Sequence, residues 1–228
     1  MQRVSKDSVV FNLDATAGRR MGYHYFNEYG NIFLENRYTD WGNYYPHWTL
    51  RNLWMLSKYI PARNLQIEFL NNFRNQNKYT DIDLLAPGKI PFEYTFALTM
   101  MAQPLAWMEA TGLHASGFDI APVVKKYRTV QQDIHNGNIV PIGEEPTGFA
   151  WTGFQSIQMN LGYFLILREN NPNAVMKMKT YLPAGTKVKV IPVLGKGKAF
   201  KAVTDAFGAM TFSLPQINSY VLYKYSII

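Results

Sequence analysis

The amino-acid sequence predicts an α/β segment followed by an all-β module, and three observations support this fold class. Up to about residue 137, short apolar runs alternate with amphipathic helical patterns. From Asn138 onward, short β-branched and aromatic runs recur with turn signals between them. The 228 residues are sufficient to bury a sizeable hydrophobic core. We therefore predict one domain in residues 1–137 and a second in residues 138–228.

The chain begins with two short strands that each end in a cluster of polar residues. The first, VVFNL, is followed by a glycine-containing turn that holds Asp14 and Arg19. The second, NIFLE, is followed by Arg37 and Asp40. Near-continuous apolar runs of this length are typical of strands in buried parallel sheets, whose functional residues lie in the loops at the carboxyl ends of the strands. We expect these four polar side chains to lie in such loops.

Helical patterns follow the second strand. Apolar side chains recur every three or four residues between Tyr45 and Tyr59, which predicts an amphipathic helix. Pro46 fits the first turn of this helix. Asn64 is a candidate N-cap for a second helix, which we predict over residues 65–73.

The rest of the α/β segment contains further short elements. The periodicity of residues 90–101 is ambiguous and fits a strand followed by a helix, and residues 104–108 predict another strand. Residues 119–135 predict a helix with Asp119 as its N-cap and Gly137 at its end. These elements make about four strand-and-helix units, whereas a closed (β/α)8 barrel needs eight and about 250 residues. The segment therefore fits half of such a barrel or a small open sheet.

Seven strands are predicted after residue 137, separated by turns rich in Gly, Pro and Asn. Their spacing over about 90 residues is typical of a small antiparallel sandwich. The predicted strands are residues 139–142, 154–159, 162–168, 175–182, 186–192, 210–214 and 219–227.

The net charge of +7 comes entirely from the last quarter of the chain. Residues 172–228 hold eight Lys and one acidic residue, Asp205, whereas residues 1–171 hold 15 basic and 15 acidic side chains. Several of these lysines stand two apart, as Lys187 and Lys189 do, which predicts that they share one exposed strand face. Few aromatic residues lie among them, so a nucleic-acid surface is not expected. A polyanion-binding face stays open as an alternative.

Residue types and spacings disfavour several classes of site. The chain contains no Cys, which excludes disulfides, thiolate metal sites and cysteine nucleophiles. No two of its four His residues stand four apart, so no zinc motif is present, and no metal or cofactor is expected. Neither a Gly-x-Ser-x-Gly esterase motif nor a phosphate-binding GxxxxGK loop occurs. No apolar run is long enough for a transmembrane helix, so no membrane association is predicted.

Asp40 lies among aromatic residues, with Tyr38, Trp41, Tyr44 and Tyr45 close to it in the sequence. Desolvation against aromatic faces raises the pKa of a carboxyl group, which suits a general acid, and the rings suit stacking on sugar faces. The same pattern also fits an acidic residue that caps a helix or occupies a surface turn. From the residues alone, both interpretations of Asp40 stay open.

Two neighbouring segments resemble the late barrel of retaining α-galactosidase-type glycoside hydrolases, families 27 and 36: FLENRYTDW at 33–41 and NYYPHWTLRNLW at 43–54. The last barrel helix of those enzymes, which precedes a C-terminal β-sandwich, is similar to KKYRTVQQDIHNG at 125–137. Family 36 also has a glycine-rich, arginine-containing loop after its fifth strand, where this chain has LDATAGR at 13–19. The resemblance extends over nearly the whole chain, but only as the second half of such an enzyme.

For the fold, this resemblance implies the last four βα units of a (β/α)8 (TIM) barrel in residues 1–137 and a C-terminal antiparallel β-sandwich in residues 138–228. The family's nucleophile is an Asp in a Lys-x-Asp setting on the fourth strand, and the 228 residues contain no Lys-x-Asp. A retaining glycosidase needs two carboxylates about 5 to 5.5 Å apart. We therefore expect the chain alone to be inactive. Because half a barrel exposes unpaired sheet edges and an apolar face, we also expect it to self-associate or to pair with a missing N-terminal half.

For the site, the resemblance implies that Asp40 is the acid/base residue, because the family's acid/base Asp follows the sixth strand. The family's Asp-Asp pair at this point is replaced here by Asp40-Trp41. Residues implied to bind the substrate are Arg37, which matches an arginine that contacts sugar hydroxyls, and Trp41, Tyr44, Asp14 and Arg19.

Three functions follow from these observations. The first is the C-terminal portion of an α-galactosidase-like enzyme that acts on terminal α-glycosidic bonds, with a carbohydrate as its partner. The second is a non-catalytic carbohydrate-binding protein that uses Trp41, Tyr44 and Tyr45 as an aromatic platform. The third is a basic polyanion-binding module. An export signal on the full-length protein would imply a periplasmic or secreted location.

Overall fold

Strands dominate the structure, a computed structural model that describes residues 2–6, 8–9, 11–14, 30–34, 45–69, 71–106 and 113–228. The helices are α1 (Gln2–Ser5), α2 (Pro46–Leu56), α3 (Phe92–Ala97), α4 (Ala121–Arg128) and α5 (Gln131–His135). The strands of the first part are β1 (Phe11–Asp14), β2 (Gly30–Leu34), β3 (Leu65–Phe69) and β4 (Gln103–Ala106). The later strands are β5 (Asn138–Gly143), β6 (Trp151–Ile157), β7 (Leu161–Arg168), β8 (Val175–Lys179), β9 (Lys187–Gly195), β10 (Phe200–Val203), β11 (Ala209–Ser213) and β12 (Ser219–Ile227).

The first four strands form one parallel sheet in the order β1-β2-β3-β4. Its apolar face packs against α2, because Ile32, Leu65 and Ile67 share a core cluster with Leu50 and Leu53 of that helix. The strands predicted near the start of the chain and at residues 104–108 are confirmed as β1, β2 and β4.

The helix predicted over residues 65–73 is wrong, because the structure has β3 there. Asn64 ends a short 3₁₀ turn and makes no side-chain cap. Leu65, Ile67 and Phe69 alternate along β3 and are all buried, which is the period-two pattern of a strand. Hydrogen bonding to both β2 and β4 stabilises the extended conformation.

The other helical predictions are confirmed in part. Helix α2 begins at Pro46 as predicted, and residues 90–101 contain α3 without a preceding strand. The helix predicted over residues 119–135 is divided into α4 and α5. Asp119 is not an N-cap, because it lies inside a 3₁₀ segment that precedes α4.

The second part is antiparallel. Six strands form a sheet in the order β10-β9-β12-β7-β6-β5, and β8 and β11 form a separate two-stranded sheet. All seven strands predicted in this part are present, and β10 was not predicted. Along β8 and β9 the lysines are exposed and their neighbours Met178, Val188 and Val190 are buried, which confirms the predicted exposed lysine faces.

The central strands of the six-stranded sheet, β6, β7 and most of β12, are buried on both faces. Leu165 and Leu222 on one face share a core cluster with residues of α2, α3 and β3. Phe164 and Ile166 on the other face pack with Phe212 of the two-stranded sheet. One core cluster therefore continues from the parallel sheet to the antiparallel sheet, and the division into two domains at residue 137 stays a prediction. No helix in the described part of the chain has the length and apolar character needed to cross a membrane.

Candidate functional site

The carboxyl ends of the four parallel strands define one edge of the sheet, formed by Asp14, Leu34, Phe69 and Ala106. We call this edge the carboxyl edge. Because all four strands are parallel, the segments that follow them leave the sheet on the same side. In parallel α/β folds this is where ligands bind and where catalytic residues lie.

In the sequence, the predicted site residues stand at or after the ends of β1 and β2, and both of these strand ends lie at the carboxyl edge. The backbone of Asp14 ends β1, and its register aligns it with Phe33 of β2, which in turn aligns with Gln66 of β3. The predicted residues that lie outside the described part of the chain are Arg19, Arg37, Asp40, Trp41 and Tyr44. The segment that carries the last four of them connects Leu34, at the carboxyl edge, to Tyr45, which precedes α2.

Aromatic side chains cluster at the start of α2. The ring of Tyr45 lies 4.9 Å from that of Trp48, 5.6 Å from that of His47 and 5.7 Å from that of Tyr79. Pro46 occupies the first turn, where its missing N–H costs no hydrogen bond, and Tyr45 before it is extended. The segment that contains Asp40 therefore leads directly into an aromatic cluster. Tyr79 was not predicted as part of it, because no sequence spacing links it to α2.

Asp83 holds the Tyr45 ring in place. The Tyr45 hydroxyl donates a hydrogen bond of 2.7 Å to Asp83 Oδ2, while Asp83 Oδ1 accepts the Leu85 N–H at 2.9 Å. The bond to the carboxylate, with burial, raises the pKa of Tyr45 to about 12. At neutral pH Tyr45 is therefore a neutral donor that is fixed to the loop before α3.

His47 is neutral at physiological pH. Burial, together with the charge of Arg51, lowers its pKa to about 4. Its Nδ1 atom is buried and has no hydrogen-bond partner among the described residues. Gly148 lies against this ring, since a Cβ atom added to Gly148 would lie 3.3 Å from His47 Nδ1 and 2.6 Å from Leu85 Cδ1.

A buried carboxylate from the antiparallel part supports this region. Glu169 Oε2 accepts backbone N–H groups from Thr147, Gly148 and Ala150 at 3.0, 2.7 and 2.8 Å. Burial raises the pKa of Glu169, while these three hydrogen bonds oppose the shift. We call this arrangement the Glu169 clamp. It fixes the loop between β5 and β6 beside the start of α2.

The end of β3 brings further polar side chains to the carboxyl edge. Ile67 and Phe69 enter the core, whereas Glu68 lies on the opposite face and is 1% exposed. Asn72 donates to the carbonyls of Pro87 and Ile90, but its Oδ1 atom is buried with no hydrogen-bond partner among the described residues. These groups were missed because residues 65–73 were interpreted as a helix.

The described side chains at the start of α2 are mainly aromatic. No group of three or more His, Asp or Glu side chains that could hold a metal ion occurs in the described ranges. The cluster at the start of α2 instead offers rings and hydroxyl groups. Such a surface can stack on the apolar faces of a polyhydroxylated molecule and hydrogen bond to its edges.

Solved α-galactosidases of family 36 have a similar fold. A variant from Geobacillus stearothermophilus in complex with raffinose matches 99% of this chain, with a TM-score of 0.67 and 11% sequence identity. Another α-galactosidase of this species matches 88% of this chain, with a TM-score of 0.58 and 13% identity. The chain spans only 30% and 26% of the lengths of these two proteins. The resemblance stated from the sequence is confirmed at the level of the fold.

α-Amylases also have a similar fold. A maltogenic α-amylase from Thermotoga neapolitana matches 100% of this chain and 56% of its own length, with a TM-score of 0.59 and 7% identity. The chain has the fold of part of a glycoside hydrolase. No protein-family model and no curated protein sequence matches it.

Proposed function

We propose that this chain is the C-terminal portion of an α-galactosidase-like glycoside hydrolase that acts on terminal α-glycosidic bonds. The observation that carries this proposal is the similarity to a family-36 α-galactosidase over 99% of the chain. The order of four parallel strands and then antiparallel strands supports it. In this proposal, β1 to β4 are the last four strands of a (β/α)8 barrel, and the antiparallel strands form its C-terminal β-sandwich.

Asp40 is the acid/base residue in this proposal. Its segment follows β2 and precedes α2 in the sequence, and in barrel enzymes the loops after the strands carry the functional residues, which supports this role. Aromatic neighbours favour the protonated carboxyl group, which is the form that a general acid needs. The proposed substrate-binding residues are Arg37, Trp41, Tyr44, Asp14 and Arg19.

The second carboxylate of the reaction would come from a barrel strand outside these 228 residues. It attacks the anomeric carbon while Asp40 donates its proton to the glycosidic oxygen, and the bond between that carbon and oxygen breaks. The Asp40 carboxylate then accepts a proton from water. The water oxygen attacks the anomeric carbon and releases the nucleophile, which restores both carboxyl groups.

The dependence on the leaving group tests the role of Asp40. We expect Asp40→Ala, made in the full-length protein, to lower kcat/KM for phenyl α-galactoside by about 10² to 10⁴. The loss should be much smaller for dinitrophenyl α-galactoside, because this leaving oxygen departs without protonation. Initial rates on the two substrates measure the difference.

Asp119→Ala is the matched control, since Asp119 is an exposed carboxylate on a 3₁₀ segment before α4. It should leave both rates unchanged. Equal losses on the two substrates would contradict the acid/base role. Galactoside binding that survives Asp40→Asn, without turnover by the full-length protein, would support the non-catalytic carbohydrate-binding alternative.

A further inference from the structure

A groove of about 660 Å³ lies between the C-terminal end of α2 and the edge strand β5. A second cavity of about 300 Å³ continues from it and shares Pro61, Asn138 and Ile139 with it. Lys179, the last residue of β8, also lines the larger cavity, together with Thr180 and Tyr181 after it. Together the two cavities form one elongated depression, which we call the β5 groove.

The β5 groove is separate from the carboxyl edge. A helix that connects two parallel strands runs antiparallel to them, so α2 begins near the carboxyl edge and ends near the opposite edge of the sheet. The groove is lined by Trp54 and by residues 57–61, at the far end of this connection. With a rise of about 1.5 Å per residue, roughly 9 Å of helix separates Trp48 of the aromatic cluster from Trp54 of the groove.

Two exposed tyrosine rings line the groove. Tyr59 is 81% exposed and Tyr181 is 60% exposed, although large aromatic side chains usually bury most of their surface. Asn138 adds an exposed polar side chain, whereas the hydroxyl groups of Ser57 and Thr180 are buried and donate to backbone carbonyls. A groove with flat rings and a polar side chain suits a ligand that has both apolar faces and hydroxyl edges.

The charged residues of the groove are all basic. Lys58 and Lys179 line the larger cavity, and the exposed Arg63 lines its continuation. None of the described residues that line either cavity is acidic. Lys58 Nζ lies 3.8 Å from the centre of the Trp54 ring, a cation–π contact that keeps the ammonium group at the groove. This charge favours an anionic ligand over a neutral one.

The edge strand itself disfavours a peptide that pairs with β5. Pro141 lies in the middle of β5 and has no N–H to donate. The Trp54 indole N–H also donates to the Ile142 carbonyl at 3.3 Å, which occupies part of this edge. An extended peptide would therefore lose backbone hydrogen bonds along β5, whereas a ligand held by side chains would not.

We propose that the β5 groove binds an acidic oligosaccharide. The rings of Tyr59 and Tyr181 stack on its sugar faces, and Lys58, Lys179 and Arg63 pair with its carboxylates. This site would retain an acidic glycan away from the carboxyl edge, and it does not depend on the proposed cleavage chemistry.

Calorimetric titration of the full-length protein with a tetramer of galacturonic acid and with its methyl ester tests this proposal. The acid should bind at least roughly tenfold tighter than the ester at low salt, and the difference should shrink as salt screens the charges. Tyr59→Ala and Tyr181→Ala should each weaken binding by roughly tenfold, whereas Tyr181→Phe should retain it because the ring remains. Lys58→Gln and Lys179→Gln should weaken binding of the acid but not of the ester.

Phe118→Ala and Lys187→Gln are matched controls, since both side chains are exposed and neither lines the groove. They should leave the affinity unchanged. The proposal is overturned if the acid tetramer does not bind, or if the ester or polyglutamate binds as tightly as the acid tetramer. It is also overturned if the control substitutions weaken binding as much as the groove substitutions do. Galactoside turnover, measured in parallel, should be the same in the groove variants and the unmodified protein. Failure of the groove proposal can therefore be told apart from failure of the proposed glycosidase function.

Discussion

The parallel and antiparallel sheets differ in the shortest connections between their paired strands. Strand β2 ends at Leu34 and its partner β3 starts at Leu65, whereas β6 ends at Ile157 and its partner β7 starts at Leu161. Parallel pairing requires a crossover, so long segments follow the carboxyl ends of the first sheet. Antiparallel pairing needs only short turns, and most of the second sheet is regularly paired strand.

This difference separates the predicted site residues from the strands that we expect to contribute most to stability. Every site residue predicted from the sequence stands at or after the end of β1 or β2, in segments that the parallel topology requires. The antiparallel part contributes central strands that are buried on both faces and the Glu169 clamp beside α2. Substitutions in the second part should therefore change the free energy of unfolding.

The largest effect is expected at the Glu169 clamp. Glu169→Ala removes the acceptor of three backbone N–H groups, and those of Gly148 and Ala150 are then buried without a partner. We expect the free energy of unfolding to fall by about 3 kcal/mol or more. Urea denaturation measures this change, with Glu144→Ala as an exposed control that should have little effect. A change at Glu169 as small as that of the control would contradict the structural role of the clamp.

A smaller effect is expected at Gly148, which has a φ of 91° and lies against Leu85 and His47. Gly148→Ala should cost about 2 kcal/mol through backbone strain and displacement of Leu85. Gly185→Ala is the matched comparison, because Gly185 has a φ of 73° but no atom within 4 Å of an added Cβ. It should cost only about 1 kcal/mol. Equal shifts in the two unfolding curves would mean that packing at Gly148 adds nothing.

The smallest effect is expected at Asp133, which links α5 to the six-stranded sheet. Its Oδ2 atom accepts the Tyr163 hydroxyl at 2.5 Å and Lys224 Nζ at 3.0 Å, and the Tyr163 bond is the main cause of its lowered pKa. A lowered carboxyl pKa contributes stability above the unfolded value of about 3.9, and this stability is lost as the pH falls through the folded value.

Asp133→Asn should therefore reduce stability at pH 7 by about 0.5 to 1 kcal/mol, because the pair is partly exposed and screened. The difference from the unmodified protein should shrink as the pH falls below the unfolded pKa of about 3.9. Thermal unfolding across this pH range measures it. If the stability difference between the two proteins instead grows as the pH falls, the pKa of Asp133 is not lowered in the folded state.

The same contrast explains which elements were predictable. The antiparallel strands were found because turn residues mark both ends of each, while β10 was missed because its four residues lie close to a Lys- and Gly-rich turn. Strand β3 was interpreted as a helix because its five residues also fit a helical spacing. Its extended form depends on β2 and β4, which are distant in sequence. Local sequence patterns do not indicate that β3 pairs with these distant strands.

The candidate site, too, was only partly predictable from local sequence patterns. The predicted residues at the carboxyl edge follow from strand ends that are visible in the sequence, and Asp14 indeed ends β1. Tyr79, Asp83 and Glu169 approach the start of α2 from distant parts of the chain. No local motif links them to α2, so only the folded chain reveals their contribution.

The central proposal is that the chain supplies one half of a retaining glycosidase. Turnover of an aryl α-galactoside tests it most directly, measured for the 228-residue chain alone and after co-expression with an N-terminal half that carries a Lys-x-Asp strand. We expect no turnover by the chain alone and restored turnover in the combined protein, since the reaction needs both carboxylates. Turnover by the 228 residues alone, or none by the combined protein, would contradict the proposal.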